Sequence, residues 1–153
     1  MADVEYTFGE VGQHKASISP LELVVQGLVV RAVRTHGAPA NGCFYSRCDN
    51  LSAVHIVAAG RARSPAMTEA LRFVREEELG QPGQQRLRLR LEHIATLENK
   101  VADLLSRGDV EEAKELVRQR WGRCRVGTMD PAFVAEVERR VREASARIVE
   151  EGW

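Results

Sequence analysis

Residues 84–106, QQRLRLRLEHIATLENKVADLLS, allow two structures, and the fold turns on which one forms. RLRLRL alternates with the period of a half-buried strand. Yet Leu87, Ile94, Leu97, Val101 and Leu104 fall on the a and d positions of a heptad, with Arg90 intruding at one d position. The helical pattern is much longer than the six-residue alternation, so the spacing predicts one helix over 86–106.

Downstream, Gly108-Asp109 turns the chain, and Asp109 and Glu112 have the spacing of a capping box. Val110, Ala113, Leu116, Val117 and Trp121 then form an apolar stripe, so LLSRGDVEEAKELV reads as an αα-hairpin. After a loop at 122–129, Val134, Val137, Val141, Ala144 and Ile148 predict a helix over 131–151. This seam is expected to lie antiparallel to the 86–106 helix, with Leu97, Val101, Val137 and Val141 in a shared core.

Upstream, GQPGQQ at 80–85 is a loop. Ser19-Pro20, Ser64-Pro65 and Asp130-Pro131 each set a capping side chain before a proline, the signature of a helix start. They predict helices from 20 to about 34, from 65 to 79 and from 131. Val4, Tyr6 and Phe8 alternate with polar residues and suggest a short strand. SAVHIVAAG at 52–60 is expected to pair with it as a second strand. The fold class is therefore mainly α: a helical bundle of about five helices containing an αα-hairpin, with a small irregular α/β part at residues 1–60. The helical part spans 64–153, and the whole of 1–153 reads as one domain.

The formal net charge is zero, from 22 basic and 22 acidic residues, and that balance argues against a general polyanion binder. The acidic start MADVEYTFGE and the three cysteines point to free thiols in a reducing compartment, so a cytoplasmic location is expected. The longest apolar run, LELVVQGLVVRAV, is broken by Glu22, Gln26 and Arg31 and is too short to span a bilayer. No P-loop, dinucleotide fingerprint, HExxH or EF-hand loop occurs. Catalysis and a cofactor are not expected.

Two stretches carry candidate chemistry. His36, Cys43, Cys48 and His55 supply four nitrogen and sulfur atoms of the kind that bind zinc, but their spacing is irregular, and two cysteines beside a turn are often small buried hydrophobes. No zinc site is expected from them. RQRWGRCR at 118–125 gathers Arg118, Arg120, Arg123 and Arg125 around Trp121 with no acidic residue among them. Guanidinium groups pair with phosphates and an indole stacks on a base. The simpler expectation is that Trp121 closes the apolar face of its helix while the arginines pair with Glu111, Glu112 and Glu115. A Cys- and His-bearing N-terminal part before a self-associating helical part is the general layout of some small viral regulators that suppress RNA silencing, but three cysteines are too few to place this chain with them. The leading expectation is a non-enzymatic regulatory protein that binds protein partners and forms a homodimer through coiled-coil-like seams. RNA binding through the Arg118–Arg125 cluster, joined by Arg86, Arg88 and Arg90 on phosphates, is the alternative.

Overall fold

A computed structural model describes residues 18–95, 98–124 and 127–150. The expected strand at Val4–Phe8 and the residue Leu97 lie outside them. Among the described residues are six helices and two strands. They run α1 (Ile18–His36), β1 (Cys43–Cys48), α2 (Leu51–Ala59), α3 (Pro65–Leu79), β2 (Arg88–His93), α4 (Lys100–Ser106), α5 (Val110–Trp121) and α6 (Pro131–Glu150). The class is mainly α with a small α/β part, as the sequence pattern predicts.

α3 begins and ends where its signals place it. Ser64 Oγ accepts the Met67 amide at 3.2 Å, Pro65 occupies the first turn, and Gly80 follows the last residue. Asp130 likewise accepts from the Ala132 amide at 3.1 Å ahead of α6. The other two caps differ. α1 already includes Ser19 in its first turn, because the helix starts at Ile18. Asp109 makes no side-chain cap bond, and the turn before α5 is instead closed by backbone, with the Asp109 amide donating to the Leu104 carbonyl at 2.9 Å.

Two expectations are overturned. SAVHIVAAG is not a strand. Asn50 Oδ1 accepts the Ala53 amide at 3.1 Å, and Gly60, at φ 70°, closes the run by donating to the Ile56 carbonyl at 2.9 Å. A helix start and stop with nine residues between them decide the matter, and Ala53 and Val57, one turn apart, are its buried residues. RLRLRL is not the start of a helix either. Leu87 and Leu89 are buried while Arg86, Arg88 and Arg90 face water, so the short alternation wins. A helix there would have carried arginines onto its apolar side.

β2 pairs in parallel with β1, Tyr45 opposite Arg90 and Arg47 opposite Glu92, through the α2–α3 crossover. Two strands alone are marginal, and α3 supports them. The buried Glu78 accepts the Leu89 amide at 2.8 Å on the open side of β2, and its other oxygen meets Arg75 at 2.7 Å. Arg75 also donates to the Val57 carbonyl at 2.8 Å, joining α3 to α2. The edge donor that would otherwise be orphaned is thus satisfied.

The core lies where α1 crosses α3. Leu23, Val24, Leu28 and Val30 meet Ala70, Leu71, Phe73 and Val74, with Leu87 and Leu89 below. A Cβ on Gly27 would sit 2.4 Å from the Phe73 ring, so Gly27 is what lets the helices approach. At the far end the Arg34 guanidinium donates to the Glu77 and Glu78 carbonyls at 2.7 and 3.3 Å, capping α3. A side chain on Gly80 (φ 72°) would strike that guanidinium.

The partner of α6 is also corrected. It packs on α3 and α1, not on residues 86–106. Val137 is buried, Phe133 stacks 5.9 Å from Phe73 beneath the Arg31 guanidinium, and Arg140 grips Glu69 at 2.8 Å and Glu76 at 3.0 Å. Val141 and its neighbours at 145–150 have no described side chains.

Gly27→Ala tests the crossing. In an open helix this change would gain about 1 kcal/mol. Here overpacking against Phe73 should reverse the sign, with a net loss of roughly 1–3 kcal/mol in chemical denaturation. A more stable variant would show that the helices do not meet as described.

Candidate binding surfaces

The four candidate zinc ligands are not brought together. Cys43 and Cys48 stand five residues apart on one strand, so they point to opposite faces, roughly 16 Å apart along it. Cys48 is buried in the core, whereas His36 and His55 are exposed on different helices, His36 against Gly127. Among the described residues no group of three or more His, Cys, Asp or Glu side chains could hold a metal ion.

Cys48 belongs instead to a polar seam between β1 and α1. Ser46 Oγ donates to the buried Gln26 Oε1 at 2.8 Å, Asn50 Nδ2 donates to Glu22, and the Asn50 amide donates to Cys48 Sγ at 3.4 Å. Burial pushes the Cys48 thiol up; the hydrogen bond from the Asn50 backbone opposes the shift, and the Glu22 and Asp49 charges add to it. Burial also raises Glu22 above its ordinary value. The Asn50 hydrogen bond opposes the shift and the Asp49 charge reinforces it.

The arginine cluster lies at the end of α5. Arg118 meets Glu115 at 3.7 Å, the Arg120 guanidinium lies 5.2 Å from the Trp121 ring centre, and Arg123 is exposed in the loop. Arg125 lies outside the described residues. The pairing of Arg118 with an acidic residue one turn back is the simpler expectation. Trp121 departs from it, being 60% exposed rather than closing an apolar face.

That exposure reflects how the α4–α5 hairpin sits. The two helices pack mainly on each other, and Ala113 is the one buried residue described in either. Val101, Leu104, Leu105, Leu116 and Val117 are only half-buried, and Val110 and Trp121 are exposed. At 100° per residue, Val110, Val117 and Trp121 fall within about 40° of one another and form an outward stripe. Charge is polarised along α5, with Glu111 and Glu112 in its first turn and Arg118 and Arg120 in its last.

The arginines at 86–90 are already candidates for phosphate contact; what sequence pattern alone missed is the surface that holds Arg88 and Arg90, the outward face of β1–β2, where Tyr45 and Arg47 lie beside them. The alternation in RLRLRL was its signal. Comparison with protein-family models, curated proteins and solved structures gives no match. No helix of the described residues is long and apolar enough to cross a membrane.

Glu22 makes a pH prediction. Its raised folded value means that its stabilising contribution is fullest below 4.5 and is lost as pH rises through the folded value. Glu22→Gln cannot ionise, so its stability relative to the parent should climb from acid pH toward neutrality. Urea titrations of both proteins across that range check this. Parallel pH curves would contradict it.

Proposed function

We propose that this protein is a non-enzymatic regulator that works by binding, and that it self-associates as a homodimer through the α4–α5 hairpin. The observation that carries this is a hairpin whose apolar stripe turns away from the body. Two such hairpins side by side would make a four-helix arrangement with Val101, Leu104, Val110, Val117 and Trp121 between them.

Charge favours a second copy as the occupant. A two-fold interface must be self-complementary. When two α5 helices run antiparallel across such an axis, residues on the same flank of each stripe meet. Glu111 and Arg118 share one flank, about 100° and 80° from Val110 by helical geometry. Each Glu111 then faces the Arg118 of the other copy, and Trp121 of each reaches Val110 of the other. Within one chain these groups make only exposed pairs, Glu111 with Lys114 at 2.5 Å and Arg118 with Glu115 at 3.7 Å, which cost little to exchange. In this reading Arg118 serves self-association, and Trp121, covered by the second copy, is not free to stack on a base.

Sedimentation across a range of concentrations tests the proposal. The parent should be dimeric, and Val117→Asp should be monomeric, because it buries an unpaired charge in the apolar stripe on each side of the two-fold axis. Glu111→Arg alone and Arg118→Glu alone should each weaken the dimer, while the double exchange restores it, because the swapped charges remain complementary. A monomeric parent, or a double exchange weaker than both singles, would overturn it.

A further inference from the structure

We propose that the outward face of the β1–β2 sheet is a binding platform for single-stranded nucleic acid, with Tyr45 stacking on a base and Arg47, Arg86, Arg88 and Arg90 on the phosphates. This goes beyond self-association and uses a different surface.

Strand parity assembles the face. Leu89 is turned into the core, so Arg88 and Arg90 on β2 point outward, roughly 6.6 Å apart, and Arg86, just before the strand, is exposed beside the buried Leu87. On β1 the inward residues are Phe44, Ser46 and Cys48, so Tyr45 and Arg47 point outward beside them. The register sets Tyr45 directly opposite Arg90. Tyr45 is 68% exposed, an aromatic ring offered to solvent in the middle of a row of cations.

Little opposes that charge. Glu92 is the acidic residue on the face and stands 4.0 Å from Arg47. None of Arg86, Arg88 and Arg90 makes an ion pair among the described residues, unlike Arg31, Arg75, Arg139 and Arg140. Four arginines against one glutamate leave a local charge of 4 − 1 = +3 on a chain whose total is zero. Solvated arginines on an edge strand are a common device against aggregation. That device needs no exposed ring at their centre, and it would be served as well by lysine.

The chemistry selects the partner. A planar guanidinium pairs with a phosphate through two hydrogen bonds, and an open tyrosine ring accepts any base. Sheet faces bearing aromatics present unpaired bases in the same manner. A duplex keeps its bases stacked on each other and would use the arginines alone. An acidic protein segment would use the charges and leave the ring idle.

The test uses the full chain and a fluorescein-labelled oligouridylate of about 12 nucleotides, within the usual range for one such platform. The parent should bind with an affinity that falls with salt at a slope near about 3, from four contacts at about 0.7 each. Tyr45→Ala should weaken binding roughly 5- to 150-fold, while Tyr45→Phe keeps the ring and the affinity. Arg86→Ala/Arg88→Ala/Arg90→Ala should lower the slope by about 2. All these side chains face solvent, so circular dichroism and melting should match the parent. The monomeric Val117→Asp protein should bind as the parent does, which separates this surface from the hairpin. No binding at low salt would overturn the proposal. So would affinity unmoved by Tyr45→Ala, loss with Arg118→Ala/Arg120→Ala/Arg123→Ala instead, or equal competition by polyglutamate.

Discussion

The contact between Gly27 and the Phe73 ring governs the rest of the molecule. Without a Cβ at Gly27, α1 and α3 close to a distance at which Leu23, Val24, Val30, Val74 and the ring interdigitate. That crossing fixes the far side of α3. It aims Phe73 at Phe133 of α6, and it sets Glu78 where its carboxylate can receive the Leu89 amide of β2. A small parallel sheet of two strands persists because a helix supplies the partner that a third strand would otherwise provide. Arg34 and Arg75 extend the same logic, each carrying a charged donor from one helix to carbonyls at the end of another.

This arrangement divides the molecule. α1, α2, α3, α6 and the sheet share one core, whereas the α4–α5 hairpin contributes little to it. Buried apolar area accounts for the stability of the first group. The hairpin holds half-buried leucines and valines with no such backing, so its opening should cost far less than global unfolding. An element that is weakly held, apolar on one side and polarised in charge along its length suits association better than scaffolding. The sheet face offers the complementary case, a rigid surface whose side chains are free because the strands beneath them are fixed.

How much of this was legible depended on range. Ser64-Pro65 and Gly80 bracket α3 because caps and stops act within a few residues, and Asp130-Pro131 locates α6 for the same reason. SAVHIVAAG was misread because apolar period is ambiguous over nine residues, although Asn50 and Gly60 held the answer. RLRLRL was misread because its strand exists only through β1, some 40 residues earlier, and through Glu78. Neither partner is visible in a local window. Val137 and its neighbours announced that α6 needed a partner. Which partner was written in Phe133, Arg31 and Arg140, whose roles appear only once the helices meet. Of the candidate sites, Arg118–Arg123 fell at a helix end as expected, and the exposure of Trp121 depended on a docking that the stripe alone could not report.

Hydrogen exchange of the full chain at increasing protein concentration tests the division between body and hairpin most directly. Amides in α1, α3 and β2 should exchange at the slowest rates and be indifferent to concentration, because only global unfolding exposes them. Amides in 101–121 should exchange faster in dilute protein and gain protection as concentration rises and the hairpins pair. A hairpin as protected as α3 in dilute solution, with no response to concentration, would contradict both the separate hairpin and the proposed association through it.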